Sequence, residues 1–515
     1  MILDDTPDRL GSLAEPAAAA LDELAGRDAV ARTWAGDYTL WRDDPTEISD
    51  RLGWLPVVAD MGARLGDLTT RARALAAPVD HVLVAGMGGS SLFPEVVARH
   101  APVAPGSPGL VVLDTTDPAA IARAGAELAP ERTLVVAASK SGSTVETRSH
   151  LAWAWDRHPD PARYAVITDP GSSLAALAAE RGFAATFENP PDIGGRYSAL
   201  SLFGLVPTLL AGADAAALLG TAAEMSDRLR AAAAGNPAAR LAATLAAGVR
   251  EGRDKLTLVL PDDVATFGLW LEQLVAESTG KDGTGIVPVV GEPLGAPEVY
   301  GDDRLFVVLG TGTETAAVDA LAAAGHPVVV LPAVEEFAGL GGQVLLWEMA
   351  TALAGALLGI QPFDQPDVES AKAATRGLLA GDTPEITPTP LAELTGAVQP
   401  GDYLAIQAFV DPGSPVVDAI ERARVALRDR LGVATTVGLG PRFLHSTGQL
   451  HKGGPDSGVF VQVVGDDRED VPIPEAGYGF SMLKHAQADG DLLTLVERKR
   501  RAGRVRLDEL LEAGS

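Results

Sequence analysis

The sequence predicts an α/β protein made of two αβα sandwiches with parallel sheets, with helical extensions at both ends. Three observations carry this expectation. Short β-branched runs alternate with helical stretches, the runs are nearly continuous in apolar residues, and the pattern occurs twice. A strand without polar alternation is covered on both faces, which places it in a parallel sheet between helix layers. The length of 515 residues agrees, since one core does not grow that large.

Residues 1–75 read as a helical N-terminal extension, with Ala-rich amphipathic stretches such as AEPAAAALDELAGR. Residues 76–235 form the first sandwich. Its strands are HVLVAGM, GLVVLDTTD, TLVVAAS and YAVITD, with helices around 92–100, 118–128, 143–156 and 172–181. Residues 236–395 form the second, with strands KLTLVLPDD, GIVPVVG, RLFVVLGTG and HPVVVLPA. The nearly all-apolar stretch 342–359 contains Glu348 and reads as a buried core helix, not a membrane span. The Pro/Thr-rich stretch 381–396 is the best linker candidate. In residues 396–515, YLAIQAFV, TTVGLG and GVFVQVVG are expected to extend the second sheet, before a helical, charged end.

Composition narrows the function. There are 41 Lys and Arg against 69 Asp and Glu, a net charge of −28, which argues against non-specific nucleic-acid binding. An anionic substrate would need positive charge focused locally. No cysteine is present, so thiol catalysis and Cys-ligated metals are excluded. No run is long and uncharged enough for a membrane span, and the acidic start MILDDTPDRL is unlike a signal peptide, so a cytoplasmic address is expected.

Several motifs could carry chemistry. Gly86-Met87-Gly88-Gly89-Ser90-Ser91 joins a strand to a helix, where glycines and a helix N-terminus suit an anion. With Asp114 ending the next strand, a dinucleotide site is an alternative, although Ser91 stands at the third glycine position. Ser139-Lys140-Ser141-Gly142-Ser143-Thr144 also follows a strand. Its four hydroxyls and an ammonium suit a terminal phosphate, while the same residue types also serve as helix N-caps. Gly194-Gly195-Arg196-Tyr197-Ser198 lets an arginine approach a ligand, unless it simply pairs with surface acids. Gln273 and Glu277 are four apart on one helical face, an arrangement open to a general base and to an ordinary i,i+4 pair. In Phe363-Asp364-Gln365-Pro366-Asp367-Val368-Glu369-Ser370-Ala371-Lys372, Pro366 can open a helix that carries Lys372. His445 and His451 share the loop LHSTGQLHKGG and lack a third nearby ligand, so no metal site is expected.

Taken together, GMGGSS, SKSGSTVET, GGRYS, QLVAESTGK and FDQPDVESAK resemble, in order, the motifs of the glucose-6-phosphate isomerase (phosphoglucose isomerase) family. The chain is also similar to the isomerase part of bacterial transaldolase–isomerase fusions, where HSTGQLHKGG is at home; no transaldolase domain is expected. The likeness spans roughly residues 80–465, and its paired sugar-isomerase (SIS) domains match the two expected sandwiches.

The resemblance implies an aldose–ketose isomerase acting on a small sugar phosphate through a cis-enediolate, without cofactor or metal. It implies Glu277 as the base, Arg196 as the cation facing the enediolate, Lys372 near the ring oxygen and C1 hydroxyl, and His445 as the histidine that opens the ring. It implies substrate and phosphate contacts from Gly89, Ser90, Ser139, Lys140, Ser141, Thr144, Gln273 and Gln365. The histidine motif here follows the lysine motif, the reverse of the family's order, which leaves His445 and His451 as rivals with His445 favoured. In the family this histidine comes from the neighbouring subunit, so a homodimer is expected, with no nucleic-acid or membrane partner.

Overall fold

The apolar runs after residue 80 become β1 (His81–Gly86), β2 (Gly109–Leu113), β3 (Thr133–Ala138) and β4 (Tyr164–Thr168). The protein is described by a computed structural model over residues 8–310, 312, 315–334, 336–367, 375, 377–379 and 386–514. With β5 (Ala185–Glu188), the four strands form a parallel sheet of order β2-β1-β3-β4-β5. Both faces of β1 are covered. Val82 and Val84 enter one apolar cluster and Leu83 the other, which is why its sequence lacks alternation. The strand order reverses between β1 and β3, and a ligand crevice opens at the carboxyl ends of strands at such a point. Both the glycine loop and the hydroxyl loop leave from those two strands.

The expected N-terminal extension is helical, with Ala14–Gly26, Ala29–Trp34 and Val57–Ala76. These helices share the largest apolar cluster with the first sheet and with helix Leu340–Leu358. That last helix lies in a stretch, Phe337–Leu358, that is apolar and long enough to cross a membrane, but its apolar window is wholly buried in the protein. Glu348 is buried there with neither carboxyl oxygen hydrogen-bonded, and burial pushes its pKa well above the ordinary range.

The second sheet has the order β7-β6-β8-β9, from β6 (Lys255–Val259), β7 (Val287–Val289), β8 (Arg304–Leu309) and β9 (Val328–Leu331). The C-terminal strands do not extend it, contrary to expectation. Instead β10 (Tyr403–Phe409), β11 (Ala434–Leu439), β12 (Gly458–Val464) and β13 (Arg501–Arg504) form a third parallel sheet of order β11-β10-β12-β13. The reason lies at β7. It is three residues long, and Pro288 at its centre has no amide hydrogen, which suits an edge strand. Val287 and Val289 still pack into an apolar cluster with Tyr403, Ala405 and Ala434, so the two sheets adjoin without pairing.

Two other expectations change. The charged end contains β13, an edge strand whose Arg501 pairs with Asp402 and whose Arg504 donates to Gln462. The linker candidate contains a short helix, Leu391–Gly396, with Leu391 and Leu394 buried; residues 381–385 lie outside the described residues.

Candidate active site

The β1 strand ends in a glycine loop pressed against other elements. Gly88 has φ +54°, and a side chain there would run into the Gln273 amide and the His445 carbonyl. A side chain on Gly89 would overlap the Gly195 carbonyl, so this loop meets the Arg196 turn backbone to backbone. Ser90 is buried beneath Gly86. On the neighbouring strand end, Ser139 Oγ lies 2.9 Å from Thr144 Oγ1 and accepts from the Gly142 amide at 3.1 Å. Ser141 and Ser143 hydroxyls are 3.0 Å apart at the exposed rim. The Lys140 ammonium donates to Asp169 at 2.5 Å and to the Pro191 carbonyl at 2.6 Å, which uses two of its three donors. Its charge is therefore largely matched within the protein, and it braces the loop.

Helix Phe267–Thr279 carries Gln273 and Glu277 on one buried face. Gln273 Nε2 donates to Glu277 Oε2 at 3.0 Å and to the His445 carbonyl at 2.7 Å. Glu277 Oε1 lies 3.5 Å from Arg196 Nη1. The Arg196 guanidinium is buried and oriented by Ser278 Oγ at 2.9 Å, Gln365 Oε1 at 3.2 Å, and the Pro362 and Asp364 carbonyls at 2.8 Å each. Lys281, one turn beyond the carboxylate, donates to the Asp364 carbonyl and carboxylate at 2.7 Å each. Burial, then the nearby Arg196 charge, brings its pKa down to about 8. Lys372, expected in the site, lies outside the described residues.

Helix Val145–Arg157 begins directly after Thr144 and presents Glu146 in its first turn. This carboxylate was not anticipated as a site residue. It lies 2.9 Å from His445 Nε2 and accepts from Gln487 Nε2 at 2.6 Å. Burial pushes the Glu146 pKa up, but the facing His445 charge and hydrogen bond outweigh it and hold the carboxyl below its usual range. His445 meets Glu146 and Gln273 of its own chain. His451 lies elsewhere. It is buried against Gln407, Tyr403, Phe443 and Phe460, and burial, then Lys452 and Arg500, push its pKa well below the ordinary value.

The dinucleotide alternative loses its acid. Both Asp114 oxygens accept from Arg442, at 2.7 and 2.8 Å, so this carboxylate is already paired within the chain. What remains is one connected set. The hydroxyl loop leads into Glu146, then His445, Gln273, Glu277, Arg196 and Gln365, with the glycine loop against Gln273 and Gly195.

Comparison with known proteins now decides the family. Residues 55–303 match the family model described as phosphoglucose isomerase. The chain is 32% identical over 393 residues to a glucose-6-phosphate isomerase of Thermus thermophilus, covering 65% of this chain and 92% of that one. It is 31% identical over 351 residues to the glucose-6-phosphate isomerase of Rubrobacter xylanophilus, covering 56% of this chain and 80% of that one. The chain belongs to the phosphoglucose isomerase family. It is accordingly an aldose–ketose isomerase. Among solved structures, a hypothetical protein of Thermus thermophilus superposes with a TM-score of 0.62 at 27% identity, over 73% of this chain and all of that one. A glucose-6-phosphate isomerase of Chlamydia trachomatis superposes with a TM-score of 0.53 at 21% identity, over 62% of this chain and 73% of that one, a likeness of fold. Within a phosphoglucose isomerase frame, the unanticipated residues are Glu146 and Lys281. Glu146 was visible in SKSGSTVET and Lys281 in QLVAESTGK, but neither sequence names its partner.

Proposed function

We propose that this enzyme interconverts glucose 6-phosphate and fructose 6-phosphate through a cis-enediolate, with Glu277 as the base. The observation that carries the reading is the Glu277–Arg196 pair, 3.5 Å apart and buried, hydrogen-bonded through Gln273 to the backbone of His445. The glycine-loop residues Gly89 and Ser90 and the hydroxyls of Ser139, Ser141 and Thr144 hold the phosphate, and that remote binding orients the sugar. His445 opens the ring. With Nε2 held by Glu146, its Nδ1 gives a proton to the ring oxygen, the hemiacetal or hemiketal C–O bond of the ring breaks, and the proton lost by the C1 or C2 hydroxyl returns through solvent water to His445. Lys372 takes part near the same hydroxyl, as the family resemblance implies.

Glu277 then removes the proton from C2 of the open aldose. The electron pair moves into a C1–C2 double bond and charge develops on oxygen, where the Arg196 guanidinium faces it. The same carboxyl returns a proton to C1, and a proton passes between O2 and O1, giving the ketose. Atoms and electrons balance within the sugar and one carboxyl, without an external oxidant.

The test is a coupled assay of fructose 6-phosphate conversion, run with chelator, beside hydrogen exchange from deuterated water at C1 and C2. Glu277→Gln is expected to lower kcat by roughly 10²–10⁴-fold and to abolish the exchange. Wild-type turnover in that variant would remove the base assignment.

A further inference from the structure

The C-terminal unit is fastened to the end of β2 by paired charges that the reaction itself does not use. Asp114, Thr115, Thr116 and Asp117 are all buried at that strand end. Asp114 takes Arg442 in a two-bond fork at 2.7 and 2.8 Å. Thr116 donates to Gln487 at 2.8 Å, and Lys484 donates to Asp117 at 3.0 Å. One helix further, Arg123 forks onto Asp411 at 2.6 and 2.7 Å.

The Arg442 fork differs from the others in where it acts. Arg442 opens the single 3-10 turn Arg442–His445, and His445 closes it. The turn is thus pinned to the first sandwich at both ends, by the guanidinium on Asp114 after β2 and by the imidazole on Glu146 in helix Val145–Arg157. Beside the fork lies a cavity of about 390 Å³, lined by Asp114, Arg442, Glu95, Arg99, Arg123 and Gly413 among others. Arg442 thus borders open space on that side, and the fork fixes its orientation there. A guanidinium–carboxylate fork sets orientation as well as distance, which a single point charge does not.

We propose that Arg442, held by Asp114, is a positioning residue that aligns His445 for opening the sugar ring. The proposal rests on the ring-opening role given to His445 above. It separates two steps of one reaction. Enediolate chemistry belongs to Glu277 and Arg196, and ring opening depends on this clamp.

The experiment compares two ketoses on the purified full chain. Fructose 6-phosphate is mostly a closed furanose in solution. Its 5-deoxy analogue lacks the hydroxyl that closes the ring and stays open. Hydrogen exchange at C1 in deuterated water reads both. For Arg442→Met and for Asp114→Asn, the ratio of closed-ring to open-chain turnover is expected to fall roughly tenfold to a hundredfold, the size of effect that small misplacements produce. Arg442→Lys should recover part of that ratio. An unchanged ratio, whether both rates fall together or neither does, overturns the proposal. Asp114→Asn, which keeps side-chain shape, answers the question if Arg442→Met does not fold. His445→Ala, measured alongside, keeps the two ideas apart. A lowered ratio in His445→Ala alone sinks the clamp and leaves ring opening in place, whereas an unchanged ratio in His445→Ala sinks the ring-opening role and the clamp with it.

Discussion

Residues 442–446 and 448–453 are consecutive pieces of one segment, each with a histidine, and they differ in what those histidines face. His445 closes a 3-10 turn, keeps a fifth of its side chain exposed, and points one nitrogen at a buried carboxylate. His451 lies in the helix Gly448–Gly453 among aromatic rings, with Gln407 as its polar partner. Both were candidates for one role. The difference teaches that an imidazole is placed for proton transfer when a charge and an opening meet at it, and for packing when only rings and an amide do.

The strongest way to break the contrast is to remove each imidazole. His445→Ala is expected to lower kcat/KM for fructose 6-phosphate, per folded molecule, by roughly 10²–10³-fold, measured by the coupled assay. A fast His445→Ala enzyme would erase the distinction. His451→Ala should do the reverse. Loss of a buried ring and of Gln407's partner is expected to cost about 2–4 kcal/mol in urea unfolding, with kcat per folded molecule unchanged.

The next two sharpen it through neighbours of the turn. Glu146→Gln keeps the shape facing His445 and removes the charge, and should cost about tenfold in kcat/KM on fructose 6-phosphate. If turnover is unaffected, the carboxylate does not support the imidazole. The smallest effect concerns Glu272, which accepts from Ser446 at 3.2 Å. Burial raises its pKa from 4.5 to about 7, against the Ser446 hydrogen bond and the Arg424 and Arg442 charges. The folded state then holds this proton more tightly than the unfolded one, so stability falls as pH rises between about 4.5 and 7 and levels off above. The slope from this group is at most about 1.4 kcal/mol per pH unit, and Glu272→Gln should remove it in unfolding curves taken across that window. A slope that survives the substitution assigns the titration elsewhere.

How much of this was legible follows from where each signal lives. β1, β3 and β4 announce themselves as short apolar runs because burial on both faces writes itself into every residue. The edge strands β5 and β13 do not. In Ala185–Glu188 only Phe187 is buried, and Arg501–Arg504 is half arginine, so tertiary pairing overrides composition. The separate third sheet turns on Pro288 closing an edge, a detail visible only once β7 is known to be a strand. In the site, Gln273, Glu277 and Arg196 were readable as motifs. Glu146 was not, because an acid in a helix's first turn is ordinary and its histidine lies 299 residues away.

The seam between the glycine loop and the Arg196 turn fixes a length. Where Gly89 rests on the Gly195 carbonyl, neither loop can slide without breaking backbone contact. On the proposed reading, the anchor for the ester group and the guanidinium of Arg196 are then two marks on one stiff ruler. A sugar is gauged by the number of carbons between its phosphate and its carbonyl, so a five-carbon phosphate, one carbon short, would be gripped at one mark and miss the other.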